Sequence, residues 1–287
     1  MAASPEVFAL APVAVPPCMI QYASDLHVER LPDRVRPMML AAELVPVPGA
    51  AVLVLAGDIG RDNDGSLAAV LDYVAPKWAH IVYVMGNHEY YGSDACPARE
   101  FHVVDAAVQS LVHVHPNVHL LTADNPCWTL EEHGVTFVGV TLWSDVNVRA
   151  SGLRAGMGDY KCTVATPEFI KALHRRHKTA LAAALAASAA SAASAASAAS
   201  IVPSHRIVVV THHMPSLRLV ADRYRGSENS SCYASSCEWL FPGVCAWVYG
   251  HTHETRTQVI DGCLCAVNAF GYPGEHAGYD RAAVLHV

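Results

Sequence analysis

Charge is scarce in this sequence, and its cysteines follow no recognisable pattern. Charged residues make up 16% of the chain, with acidic groups in excess and a formal net charge of −7. No basic cluster supplies the attraction that leads nucleic-acid binding, so no nucleic-acid partner is expected. The nine cysteines are odd in number and include no CxxC pair, which argues against both a secreted disulfide framework and a zinc-ribbon spacing. Cys263 and Cys265 would share one face of a strand, where buried free thiols are the ordinary outcome. No Lys or Arg precedes Arg30, and Pro12, Pro16 and Pro17 interrupt the apolar stretch before it, so the parts of a secretory signal are missing. A reducing, cytoplasmic setting is expected.

Apolar residues are abundant. At 52% hydrophobic, the 287-residue chain can bury a sizeable core, and no linker divides its apolar pattern, so residues 1–287 are read as one domain. Short apolar runs end abruptly in polar residues: Met19 to Ala23, Ala51 to Ala56, Ile81 to Met85, Val135 to Leu142, Arg206 to Val210 and Ala246 to Tyr249. Each reads as a buried strand entering a loop. In open α/β sheets, ligands bind outside the carboxyl ends of strands, where these loops would gather.

Helices are expected over Ser66 to Ala75 and Asp105 to Val114. A longer one begins after Thr166 as cap, with Pro167 at its first position and Phe169, Ile170, Leu173, His177 and Leu181 as its inward stripe. From Ala182 to Ser200 the chain is almost wholly Ala and Ser, with Ser188, Ser191, Ser194, Ser197 and Ser200 three apart. A spacing of three drifts around a helix of 3.6 residues per turn and leaves no fixed polar face. The stretch is too weakly apolar for a membrane span and reads as a tolerated insertion.

The chemistry lies at the strand ends. Asp25 and His27, two apart in Ser24-Asp25-Leu26-His27, can grip one metal from one side of an extended strand end. Asp58, between Gly57 and Gly60, sits where a tight turn lets a carboxylate bridge two metals. Asn87 offers an amide oxygen without added charge, and His88 stands beside it, able to hold a phosphate oxygen or protonate a departing alkoxide. His212 and His213 follow a fifth run, and His251 and His253 a sixth. Singly, each segment is an ordinary turn. Five in this order, each at a strand end, point to a metal centre.

The series SDLHVE, AGDIG, MGNHEY, THHMPS and GHTH, spanning residues 24 to 253, resembles that of the calcineurin-like metallophosphoesterases. The resemblance implies an α/β fold, a four-layer αββα sandwich with two mixed sheets flanked by helices. It implies that Asp25, His27, Asp58 and His253 hold one metal and that Asp58, Asn87, His212 and His251 hold the other, with Asp58 as the bridge. His213 then supports His212 or contacts substrate. His88 becomes the catalytic histidine, and Glu89 stands where many relatives carry aspartate. Tyr90, Trp143 and Tyr160 are candidates to stack on substrate or to pack.

Two divalent ions against two aspartates leave a local charge of plus two, enough to bind phosphate in an acidic protein. The expected reaction is hydrolysis of a phosphomonoester or phosphodiester by a metal-bound hydroxide, with Asp58 and His88 as the central residues. Mixed oxygen and nitrogen donors accept manganese, the working choice, or iron or zinc. The expected partner is a small phosphate ester, with no membrane. A protein phosphatase and a non-catalytic scaffold on the same fold are the competing readings.

Overall fold

A computed structural model describes residues 17–150, 152–197 and 206–287; Pro12, Pro16 and Ser200 lie outside the described residues. The six apolar runs become strands β1 (Met19–Ala23), β2 (Val52–Ala56), β3 (His80–Val84), β6 (Val135–Val140), β7 (Arg206–Thr211) and β8 (Val244–Tyr249). Short strands β4 (Val118–Leu120), β5 (Cys127–Leu130), β9 (Arg256–Ile260), β10 (Cys263–Val267) and β11 (Val284–His286) complete two mixed sheets. The first has the order β11-β1-β2-β3-β4, with only β11 antiparallel. The second has the order β5-β6-β7-β8-β10-β9, with its four central strands parallel and its two edges antiparallel.

Alternation along the strands sorts side chains into layers. Val52, Val54 and Ala56 of β2 face Val208 and Val210 of β7 and Ala246 and Val248 of β8, forming the core between the sheets. Leu53 and Leu55 face outward instead. They meet helices α1 (Arg36–Glu43), α2 (Ser66–Val74) and α3 (Phe101–His113) through Leu40, Val70, Leu71, Val104 and Val108. On the far side, Val138, Val209 and Trp247 pack against Leu181 and Ala184 of the long helix α6 (Pro167–Ser197). Two short helices, α4 (Leu153–Gly156) and α5 (Gly158–Lys161), precede it. The four layers are those of an αββα sandwich. β2, fully buried on both faces, is an unbroken apolar run for that reason.

Thr166 caps α6 as expected, its Oγ1 accepting from Phe169 N at 3.2 Å. The inward stripe differs from the expected one. Ile170, His174, His177, Leu181, Ala184 and Ser188 are buried, whereas Phe169 is 40% exposed. His177 is inward as expected, and His174 joins it in place of Phe169 because the turn after β6 must be held there. Leu142 and Trp143 both lie in the left-handed region, at φ 71° and 54°. His177 Nδ1 accepts from Leu142 N at 3.2 Å, and His174 Nδ1 lies 3.2 Å from Leu142 O, so both backbone polar groups of that strained residue are satisfied.

Burial, with smaller contributions from neighbouring Arg176 and His174, pushes His177 down to about 3. An unfolded histidine titrates near 6.5, so as pH falls from there towards 3 the unfolded chain takes up a proton that the folded chain refuses. Stability is therefore present above pH 6.5 and lost below it, at up to about 1.4 kcal/mol per pH unit. His177→Gln keeps an acceptor but does not titrate. Urea unfolding at pH 7 and pH 5 should lose about 2 kcal/mol less on acidification in the variant than in the parent; equal losses would show that His177 does not carry this dependence.

Candidate metal centre

All the motif residues leave the carboxyl ends of parallel strands: Asp25 and His27 after β1, Asp58 after β2, Asn87 and His88 after β3, His212 after β7, and His251 and His253 after β8. Asp25, His27, Asp58, His251 and His253 all adopt left-handed backbones with φ from 46° to 71°. Such conformations are unfavourable for residues with a Cβ and persist where the surroundings over-determine them. Here Asp25 N donates to Gly57 O at 2.9 Å, His27 N to Asp58 O at 3.0 Å, and His251 N to Asp25 Oδ1 at 2.9 Å. Gly86 is required by crowding: a Cβ there would overlap the Asp58 carboxylate. A Cβ on Gly57, itself at φ 84°, would overlap the His212 ring.

Three of the rings are aimed through Nδ1. His212 Nδ1 lies 2.9 Å from Ala56 O, His27 Nδ1 3.1 Å from Glu29 Oε1, and His253 Nδ1 2.6 Å from Glu275 Oε2. With Nδ1–H held by an oxygen, the Nε2 lone pair points inward. His212 Nε2 reaches Asn87 Oδ1 at 2.9 Å and Asp58 Oδ1 at 3.3 Å. His27 Nε2 lies 3.7 Å from Asp58 Oδ2, and His253 Nε2 lies 3.5 Å from Asp25 Oδ1. Donor atoms of Asp25, His27, Asp58 and His253 fall within 4.8 Å of one another, as do those of Asp58, His212 and His251. Asn87 keeps its oxygen inward because its Nδ2 donates to Asp159 Oδ1 at 2.8 Å and to Tyr91 Oη at 2.9 Å.

The electrostatics call for cations. Burial raises Asp58, but His212 and His88 outweigh it and hold the carboxyl well below its usual range. Burial lowers His212, yet Asp58 pulls it up to about 10. A buried corner that draws a proton this strongly also attracts a metal ion. Burial lowers His27, and holds His251 and His213 well below the ordinary histidine value, keeping these rings neutral as ligands must be. The ring nitrogens His27 Nε2 and His253 Nε2 face each other at 2.9 Å, an arrangement that a cation between them suits. The donor set fits metal.

The other expected residues separate. His213 lies behind His251, with ring centroids 4.2 Å apart and neither ring nitrogen hydrogen-bonded among the described residues. Trp143 is buried against His213, Tyr90 and Phe101. Tyr90 stacks on Phe101 and donates to Asp105 Oδ1 at 2.6 Å, in the core. Neither lines the cavity of about 740 Å³ that opens from Asp58, Asn87, His88, His251 and His253. Tyr91, Tyr233 and Tyr272 line it instead, together with Arg30 and Arg223. Tyr91 and Arg30 each sit one residue beyond a quoted motif position, and nothing in the local pattern singles them out.

The sequence profile of the calcineurin-like phosphoesterases matches residues 22–255, a span that takes in every strand-end motif. The chain belongs to the calcineurin-like phosphoesterase family. This calcineurin-like phosphoesterase is 26% identical over 285 residues to protein L509 of Acanthamoeba polyphaga mimivirus, covering 94% of this chain and 96% of that one. It is 27% identical over 265 residues to the [acyl-carrier-protein] phosphodiesterase PptH of Mycobacterium tuberculosis, covering 88% and 77%. The crystal structure of PptH, there named a phosphopantetheinyl hydrolase, superposes with a TM-score of 0.65 at 20% identity over 96% and 97% of the two chains, and so shares the fold. The protein is a metal-binding hydrolase acting on phosphoester bonds.

Glu89, in the GNHE segment of this phosphoesterase, does not reach the cavity. Its Oε2 accepts from Gly86 N at 2.9 Å and Asp58 N at 3.2 Å, and its Oε1 from Ile59 N at 3.0 Å and Tyr83 Oη at 2.8 Å. One carboxylate thus ties the loop after β3 to the loop after β2. Burial and the nearby Asp58 push it up to about 7 against these bonds. Glu89→Gln must turn an amide NH2 towards at least one backbone N–H. Its best placement faces Tyr83 and leaves Ile59 N unsatisfied, so the variant should lose about 1–3 kcal/mol in urea unfolding. Glu89→Ala should lose more, and an unchanged midpoint in both would remove the tie.

Proposed function

We propose that the protein hydrolyses a phosphodiester whose leaving group is an extended polar alcohol, at a centre of two divalent cations. The observation that carries this is the shape of the site. The cavity of about 740 Å³ continues from His88 and His253 past Met214, Tyr233, Ser230 and Tyr224, far beyond what a phosphoryl group fills. Its mixed lining of methionine, tyrosine, hydroxyl and Arg223 suits a flexible chain of amides and hydroxyls. The PptH relative is named an [acyl-carrier-protein] phosphodiesterase and a phosphopantetheinyl hydrolase, which favours a phosphopantetheinyl diester as the first substrate to try.

In this reading Asp25, His27, Asp58 and His253 would hold one cation, and Asp58, Asn87, His212 and His251 the other. Manganese is the first to test, with iron or zinc as alternatives. Bound cations there supply Lewis acidity towards the phosphoryl oxygens and lower the pKa of a water. The protein's own part is orientation and proton transfer. His88, beside Asp58 and open to the cavity, gives the proton at Nε2 to the departing oxygen, while Arg30 and Arg223 add positive charge at the cavity wall. The chain acts as one domain, since the cation ligands come from both sheets. A scaffold without catalysis is disfavoured because His88 and all seven expected ligands converge.

Two variants separate the roles. His88→Ala should lower kcat on an alkyl phosphodiester by about 10²–10⁴-fold while the protein retains its metal. Asp58→Ala should lose metal from both positions, read by elemental analysis of the purified protein. Chelation should abolish turnover of the parent, and adding back Mn2+ should restore it. Metal loss in His88→Ala equal to that in Asp58→Ala would overturn this division, and a parent inactive on mono- and diesters with each metal restored would return the scaffold reading.

A further inference from the structure

His88 must have a partner at Nδ1 if its Nε2 is to deliver a proton in a fixed direction. The adjacent Glu89 cannot serve, because both of its oxygens are taken by three backbone N–H groups and Tyr83. The carboxylate that faces His88 is Glu29, four positions beyond Asp25 in the first motif. Its Oε1 lies 3.0 Å from His88 Nδ1 and 3.1 Å from His27 Nδ1. Two imidazoles, one a proposed ligand and one a proposed proton donor, converge on a single oxygen.

The placement is built by the backbone. His27 enters the left-handed region at φ 46°, and Val28–Arg30 then closes a 3₁₀ turn that swings Glu29 back beneath the His27 ring. The Glu29 side chain is fully buried, and its Oε2 makes no hydrogen bond among the described residues. A buried carboxylate with one idle oxygen is destabilising unless its other contacts offset the lost solvation. Here the two histidines are those contacts. Each donates Nδ1–H to the same oxygen, which leaves both Nε2 atoms as the reactive ones. His27 Nε2 turns to Asp58 and His253, and His88 Nε2 turns to the cavity, 3.0 Å from Tyr272 Oη. The Tyr272 hydroxyl stands where a departing substrate oxygen would receive its proton.

We propose that Glu29 is a positioning residue that, through one oxygen, fixes the tautomer and ring direction of both His27 and His88 and so couples metal holding to proton delivery. In the step concerned, the Nε2–H bond of the His88 imidazolium breaks and an O–H bond forms on the leaving alcohol. The ring becomes neutral and keeps Nδ1–H on Glu29. Solvent water returns the proton. The inference rests on the proton-donor role proposed for His88, and the experiment separates the two.

The full-length protein and its Glu29→Gln, Glu29→Asp and His88→Asn variants are assayed on two diesters that differ only in the leaving group, one an alkyl alcohol and one p-nitrophenol, which needs no proton. Glu29→Gln should lower kcat on the alkyl ester by about 10–100-fold more than on the aryl ester, the size usual for a group behind a reacting histidine. Glu29→Asp, one methylene shorter, should move the aryl-to-alkyl ratio the same way, and covers the case in which the glutamine variant fails to fold. In the double variant with His88→Asn, changing Glu29 should move that ratio no further. Ring nitrogen shifts of the zinc-loaded parent should place hydrogen on Nδ1 of both His27 and His88. A ratio unchanged by either Glu29 substitution, or hydrogen on Nε2 of His27, overturns the inference. A ratio unchanged by His88→Asn overturns the proton-donor role itself.

Discussion

A hydrogen bond between the sheets holds the centre together. His212, at the end of β7 in the second sheet, lies with Nδ1 2.9 Å from Ala56 O, the last residue of β2 in the first. Beside it, both carboxylate oxygens of Asp25 accept from His251 N, at 2.9 and 3.2 Å. These links keep the carboxyl ends of the parallel strands of the two sheets in register. Without them Asp25, on one sheet, and His251 and His253, on the other, would belong to separate surfaces. The core of Val52, Val54, Val208 and Val210 brings the sheets face to face, but apolar packing is non-directional and sets no angle for a ring. The polar links set it.

The backbone is strained where the ligands stand. Left-handed conformations at Asp25, His27, Asp58, His251 and His253 accompany the side chains that converge there. Neighbouring segments satisfy the peptides so exposed, Gly57 O receiving Asp25 N and Asp58 O receiving His27 N. The same device recurs at Leu142, where His174 and His177 reach down from α6. That turn sets Trp143 against His213, which in turn backs His251, so support passes from α6 to the His251 ring by contact.

Four carboxylates divide the labour. Glu89 closes the loops after β2 and β3, Asp159 turns the Asn87 amide, and Glu29 and Glu275 aim His27 and His253. Each acts on a group that faces the centre. Of the seven expected ligands, Asp25 and Asp58 bring the carboxylates, which keeps the balance among the ligands favourable for an anionic ester once cations are bound.

By itself, the sequence determined the strand ends, the order of the motifs and the residues that leave each strand, because buried parallel strands must be unbroken apolar runs and polar groups gather where they stop. Glycines beside Asp58 and Asn87 were legible for a related reason, since close approach leaves a local mark. Only the tertiary structure turns His212 towards Asp58 and leaves His213 behind His251, because the direction of the His212 ring depends on Ala56 O, which lies on the other sheet. It also moved Tyr90 into the core, brought Tyr91 and Tyr272 to the cavity, and replaced Phe169 with His174 on the inner face of α6. The partner of His88 was decided in the same way. Adjacency favours Glu89, but a side chain's direction follows from the acceptors and donors that surround it, and those around Glu29 come from two separate strand ends.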